Sequence, residues 1–174
     1  MTLSKELLSG LGTRWAHVQG VGVTAGQLAA ELDLGADVDA VRGAAWLHDV
    51  GYAPSLVQTG FHPIDGARFL RSHGVPELVV SLVAHHTGAE FEATGRGLSA
   101  ELAVFEPPPQ DLLDVVTFAD LTTGPDGATV AVEERLREIL HRYPDGHVVH
   151  DAIEQSSPSL RAVADRMQAR LPRV

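Results

Sequence analysis

Nine histidines occur among 174 residues, and several of them stand beside carboxylates where helices end. The run Ala44-Ala45-Trp46-Leu47-His48-Asp49-Val50-Gly51-Tyr52 has the apolarity of a buried helix, yet it carries an adjacent imidazole and carboxylate. An aspartate is almost never fully buried unless it is paired or bound to a metal. At the helical advance of about 100° per residue, Val38, Val41, Ala44 and Ala45 form one apolar arc, and His48 and Asp49 fall inside it. A divalent cation is the simplest way to make that arrangement favourable. Further donors are spread along the chain: His17, His62, the pair His85-His86, and Asp120. A histidine and carboxylate set with no cysteine suits iron, manganese or zinc rather than calcium, with nickel, cobalt and magnesium left open. Five or six such ligands suffice for two ions, with Asp49 able to bridge through its two oxygens. Paired ions act as Lewis acids, generate hydroxide near neutral pH and clamp the oxygens of an in-line phosphoryl displacement.

The elements that must position these groups read as helices throughout. A short amphipathic helix over 3–11 breaks at Gly12-Thr13, and Thr13 is a fitting N-cap for a long helix reaching residue 34. Its stripe of Trp15, Val18, Val21, Ala25, Leu28, Ala29 and Leu32 includes Arg14 in the arc and His17 at its edge. Gly35 ends that helix, and Asp37 can cap the next, predicted over 37–51. A loop over 52–60 follows, with Pro54 breaking the helix. Pro63 fits a first helical position and leaves His62 as an unusual N-cap, so the His62 side chain has another role. A helix over 76–87 ends in His85-His86, with His86 in the middle of its apolar arc and His85 at the edge. Residues 88–109 read as a long Gly- and Pro-rich loop holding one short helix at 99–105. The helix over 110–123 places Asp120 between Leu113 and Val116, a second acid on a buried face. Helices over 129–143, 147–155 and 158–171 follow, the first amphipathic with exposed Glu and Arg. The expectation is a single all-α domain over 1–174, with a core at 14–124 on which the C-terminal helices pack.

Composition narrows the function. Hydrophobic residues make up 44% and charged residues 21%, ordinary for a globular protein, with a net charge of −10 and a pI near 5.2. An acidic surface argues against nonspecific binding to nucleic acid or membranes. With no cysteine, disulfides, zinc–thiolate sites and thiol catalysis are excluded. The start lacks the apolar core of a signal peptide, and no apolar run nears the roughly 20 residues of a membrane span. The expected setting is cytoplasmic.

The pattern His17 … His48-Asp49 … Asp120, on helices of this length and order, resembles the HD superfamily of metal-dependent phosphohydrolases. The resemblance covers roughly 14–124, with Leu-His-Asp-Val-Gly and Phe-Ala-Asp-Leu specific in combination. His62, in His-Pro-x-x-Gly-Ala-x-x-Leu, and His85 look like the added ligands of its two-metal members. Arg14-x-x-His17-x-x-Gly20-Val21 and His86-Thr87-Gly88 look, more weakly, like the branch of bacterial diadenosine-tetraphosphate hydrolases. The resemblance implies His17, His48, Asp49 and Asp120 on one ion, His62 and His85 completing a second, and Asp49 as the bridge. His86 matches the second His of a pair in HD-GYP phosphodiesterases, without the Gly-Tyr-Pro that should follow; its role is ligand, proton donor to the leaving group or support of the ligands, with the last two preferred. Many relatives carry a Lys three residues after the motif Asp, where this chain has Tyr52. Arg14 foremost, then Arg68 and Arg96, are the residues that could hold substrate phosphate in its place, with the Tyr52 hydroxyl beside them. The implied activity is hydrolysis of a phosphoester or phosphoanhydride on a nucleotide-like small molecule by a metal-bound hydroxide. Two alternatives use the same fold: a di-iron oxygenase, as in myo-inositol oxygenase, and a noncatalytic metal-containing sensor. The expected partner is a small phosphorylated substrate, with no nucleic acid and no membrane, and homodimerisation is left open.

Overall fold

Glycine, proline and a few strained residues divide the chain into helices, and the point at which each helix stops decides which side chains converge. The computed structural model describes residues 2–172. In order, these form α1 (Thr2–Leu8), α2 (Thr13–Glu31), α3 (Val38–Leu47), α4 (His62–Ser72), α5 (Glu77–His85), α6 (Ala89–Gly95), α7 (Ser99–Leu102), α8 (Gln110–Leu121), α9 (Val132–Arg142) and α10 (Val148–Arg170). The described residues contain no strand beyond one isolated bridge, between Thr123 and Thr129. The protein is all-α, and no described helix is long and apolar enough to cross a membrane.

The apolar arcs of α2, α3, α5 and α8 meet in one core. Val18, Val21 and Ala25 face Val41, Ala44 and Ala45, with Val80, Val83, Val115 and Val116 closing the same volume, all fully buried. Burying a side chain of that size contributes about 1.5–3 kcal/mol. Gly22 is what lets α2 lie close to α3, since a Cβ there would come within 2.4 Å of the Trp46 indole. A smaller cluster of Leu121, Leu136, Ile153 and Leu160 ties the end of α8 to α9 and α10.

Several boundaries differ from those predicted. Thr13 is the first residue of α2 rather than its cap, because Gly12 turns the chain with a φ of 54°. The helix stops at Glu31, and Asp33 takes a left-handed φ of 49° before Gly35 does the same. His48 caps the end of α3, and Asp49 leaves helical geometry to start the tight turn Val50–Tyr52. Helix α4 begins at His62, with Phe61 as its cap. Ala89–Gly95 is helical where a loop was expected, and α7 ends at Leu102. The last two predicted helices are one, α10, with Pro158 inside it. Pro158 has no N–H to return to the preceding turn. The carbonyl four residues back, that of Glu154, therefore loses its helical donor, while the Ser157 and Ser156 hydroxyls both donate to the neighbouring Ile153 carbonyl (2.6 and 3.4 Å).

Candidate metal centre

Five helices deliver the site. His17 comes from the second turn of α2, His48 and Asp49 from the end of α3, His62 from the start of α4, His86 from just beyond α5, and Asp120 from the last turn of α8. Two contacts fix where α4 begins. The Asp65 carboxylate, itself buried, accepts the backbone N–H groups of Gln58, Thr59 and Gly60 (3.1, 3.0 and 3.1 Å) and the Thr59 hydroxyl (2.8 Å). Gly51 packs directly on the first turn, where a Cβ would stand 2.0 Å from the His62 carbonyl oxygen.

The donor atoms then fall together. His17 Nε2 lies 2.9 Å from Asp120 Oδ1, His48 Nε2 3.4 Å from Asp49 Oδ2, and His62 Nε2 3.3 Å from Asp49 Oδ1. His62 Nε2 and His86 Nε2 are 3.2 Å apart. Three overlapping groups, His17–His48–Asp49, His48–His86–Asp120 and Asp49–His62–His86, each bring their ligand atoms within 4.8 Å of one another. Main-chain carbonyls orient three of the rings, since Nδ1 of His17, His48 and His86 donates to Gly124, Ala45 and Val83 (3.1, 2.8 and 2.7 Å). A carbonyl only accepts, so the neutral form of each ring has its proton on Nδ1 and a lone pair on Nε2, aimed at the others. His48 Nε2 is fully buried and has no hydrogen-bond partner, its Asp49 contact notwithstanding. Buried polar atoms are nearly always satisfied, and a ring nitrogen beside two carboxylates fits a cation there, its own proton or a metal ion.

The electrostatics agree with that fit. Burial alone would push the Asp49 carboxyl up, but His48 and Arg14 beside it hold it well below the usual carboxylate range. Arg14 donates to Asp49 Oδ2 at 2.6 Å. Burial likewise opposes charge on Asp120, which the His17 hydrogen bond holds well below normal. The Thr87 hydroxyl donates to the second Asp120 oxygen at 2.5 Å. Burial keeps His62 and His86 neutral by lowering both. His48 moves the other way: burial disfavours its charge, but Asp49 outweighs this and the ring is pushed up to about 8. Tyr52 stacks on His62 with centroids 4.1 Å apart, and the Arg14 guanidinium lies 4.0 Å from the Tyr52 ring centroid.

The HD domain family model matches residues 14–124, which include every residue of this cluster. The chain belongs to the HD domain family. Among curated proteins, the chain is similar to Ribonuclease Y of Rubrobacter xylanophilus, 41% identical over 78 residues, or 44% of this chain and 15% of that one. Ribonuclease Y of Thermobifida fusca is 40% identical over 76 residues (43% and 15%), and that of Opitutus terrae 33% over 99 residues (53% and 19%). The chain thus spans less than a fifth of the length of these relatives. No solved structure matches it significantly. HD domains bind divalent metals, and the three groups of donors could hold such ions.

Within the HD domain, the predicted site residues divide. His17, His48, Asp49, His62 and Asp120 converge, and Arg14 and Tyr52 line the cleft over them. His85 does not join them, which corrects the expectation that it completes a second ion site. It donates from Nε2 to the Phe105 carbonyl at 2.9 Å and lines cavities away from the cluster. The cause is local: α5 stops at His85, and His86 adopts extended geometry (φ −61°, ψ 151°), so two neighbours that share a helix face in sequence point to different places. His86, not His85, is the residue grouped with Asp49 and His62. Its Nδ1–H is committed to Val83, so in the neutral form Nε2 accepts and cannot donate to a leaving group. Arg68 is not among the residues lining the cleft. Arg96 stands behind its wall, paired with Glu92 at 2.7 Å and 5.6 Å from the Phe61 ring centroid.

Sequence reasoning missed Thr87, Arg135, Arg142 and Tyr143, all of which line the cleft. The last three stand on or next to α9, outside the matched segment. A signal was present: Arg135, Ile139, Arg142 and Tyr143 recur at i, i+4, i+7 and i+8, a single helical stripe.

Proposed function

We propose that this HD domain is a metal-dependent phosphohydrolase that cleaves a phosphoester or phosphoanhydride of a nucleotide-like small molecule. The observation that carries the reading is the fully buried His48 Nε2, without a hydrogen-bond partner, in two of three donor groups that overlap pairwise through His48, Asp49 and His86. In this reading His17, His48, Asp49 and Asp120 hold one ion, while His62 and His86 hold a second with Asp49 between them. When bound, the ions supply Lewis acidity and an activated water.

The chain's own residues do the rest. Asp49 takes one guanidinium N–H of Arg14 and so fixes that cation at the cleft, where its remaining donors meet phosphoryl oxygens. Thr87 holds Asp120 in place through its hydroxyl. Tyr52, stacked on His62, limits how that ring can turn and offers a phenol to the substrate. The cavity directly over the cluster is small, about 90 Å³. That suits one phosphoryl group and an attacking water. Ile139, Tyr143, Val149 and Ile153 form an apolar side of the same cleft, suited to the organic part of a nucleotide.

A second reading, cleavage of the phosphodiester of RNA, is favoured by the name of the relatives, Ribonuclease Y. One preparation tests both. The protein is loaded with manganese or iron, its metal content is measured, and it is offered mononucleotides, dinucleotides, nucleoside di- and triphosphates and a short single-stranded RNA. Turnover of the nucleotides, abolished by Asp49→Ala together with metal content, is the expected result. A fully loaded protein that cleaves none of the panel but consumes oxygen would sink both hydrolytic readings in favour of oxygenase chemistry. RNA cleavage without nucleotide turnover would select the second.

A further inference from the structure

A cavity of about 310 Å³ adjoins the centre and is lined by Thr13, Arg14, His17, Pro125, Arg135 and Arg142. Three of these six residues are arginines and none is a carboxylate, in a chain whose net charge is −10. Such a lining is not the consequence of a basic surface, because the surface as a whole is acidic. The same three arginines also line the cleft over the His and Asp cluster, so they stand where the two spaces meet.

The arginines are held rather than loose. Arg135 is 7% exposed, and an arginine is rarely that buried without a partner. Its NH1 donates to Glu138 Oε2 at 2.6 Å, and the other oxygen of Glu138 accepts from Arg142, with Nε at 2.9 Å. One carboxylate therefore serves two guanidiniums, leaving this trio with a formal charge of +1. Arg14, whose NH1 is taken by Asp49, forms the near wall. Leu136, in the buried cluster with Leu121, Ile153 and Leu160, anchors α9 so that this face stays turned to the centre. A guanidinium presents five N–H donors in a fixed fork that matches phosphate oxygens. The cavity has room for roughly ten waters at about 30 Å³ each, enough for a phosphate group and its solvent.

We propose that Arg135 and Arg142 of α9, with Arg14 between them and the centre, form a second anion site that holds a phosphate other than the one being cleaved. This deepens the phosphohydrolase reading and rests on it. It makes the preferred substrate one with two or more linked phosphates, such as a nucleoside di- or oligophosphate, rather than a monoester. Helix α9 lies outside the segment matched by the family model, so this selectivity belongs to the chain's own C-terminal part.

Arg142→Gln and Arg135→Gln test the site in the manganese-loaded full chain. Arg142 is the more exposed of the two and is the variant that keeps the test sound if Arg135→Gln fails to fold. Calorimetry compares inorganic pyrophosphate with orthophosphate, which can occupy the centre alone. The wild-type protein should bind pyrophosphate at least about tenfold more tightly than orthophosphate, and Arg142→Gln should erase most of that gap while changing orthophosphate affinity less than about twofold. In turnover, the same variant should raise KM for a nucleoside diphosphate about tenfold, at least about fivefold more than it raises KM for p-nitrophenyl phosphate, and leave the metal content unchanged. A gap that persists in both variants overturns the second site, even if hydrolysis is robust. Loss of the gap in a protein that hydrolyses nothing supports the anion site and overturns the phosphohydrolase reading alone.

Discussion

In its neutral form His86 presents a lone pair at Nε2, 3.2 Å from Nε2 of His62, because its other nitrogen donates to Val83. Two lone pairs at that distance repel, so a proton on His62 or a cation must sit between them. His86→Ala should therefore lower metal affinity by more than about a hundredfold, a loss beyond that typical of removing a group that only orients a ligand. His85→Ala should leave metal affinity within about twofold and instead cost about 1–3 kcal/mol of stability, since it strands the buried Phe105 carbonyl. Metal titration and denaturant unfolding of the two variants separate these outcomes. Proton linkage gives a second test. His48 is pushed up to about 8 from its ordinary 6.5, so in the metal-free protein it is mostly charged at neutral pH. Its contribution to metal-free stability is then fully present below pH 6.5 and lost as pH rises through about 8. A metal needs the neutral ring, so binding must expel this proton. Metal affinity should climb with pH and level off above about 8, and calorimetry in buffers of different ionisation enthalpy should register release of about one proton per protein near neutrality.

At the scale of elements, the site depends on where helices stop and on how closely they approach. The turn Val50–Tyr52 meets the first turn of α4 at Gly51, where any side chain collides with the His62 carbonyl. Gly51→Ala should push α4 outward, cost about 1–3 kcal/mol and weaken metal binding through the displaced His62. Thermal unfolding and metal titration of the same sample measure both effects. Period-based reading located the arcs because burial requires only that apolar residues recur on one face, which is why His17, His48, Asp49 and Asp120 were legible on α2, α3 and α8. It put His86 in the middle of the apolar arc of α5 and His85 at its edge; the choice of His85 as ligand came from the family resemblance, and the stop between the two is made by the backbone. Thr87 takes a φ of 49°, rare for a residue with a branched Cβ, and Gly88 follows at 71°. The glycine was visible, but its effect begins two residues earlier. Pro158 misled in the opposite sense, since the helix runs on through a residue that usually ends one. Arg68 and Arg96 were chosen for their charge alone, while the α9 arginines carried both charge and a helical stripe.

At the scale of the molecule, the centre joins parts of the chain that the apolar core holds only indirectly. Asp49 and Asp120 are buried anions, and His17, His48, His62 and His86 are the groups arrayed around them. An ion bound there links α2, the end of α3, the start of α4, the exit of α5 and the last turn of α8, so it stabilises the folded chain and not the unfolded one. Free metal at about a hundred times its dissociation constant should then add about 2.7 kcal/mol. For a chain of this size, each kcal/mol moves Tm by about 2–4 °C, so chelation should lower Tm by roughly 5–10 °C. Scanning calorimetry with and without chelator measures this. The shift must disappear in Asp49→Ala, where the shared ligand is gone. A nonspecific gain from any cation on a chain of charge −10 would persist there and would respond to sodium as well as manganese. Arg142→Gln, which removes no member of the donor groups, should keep the full shift, because the ion is held by the five-helix junction while α9 contributes only arginines along the line where the two spaces meet.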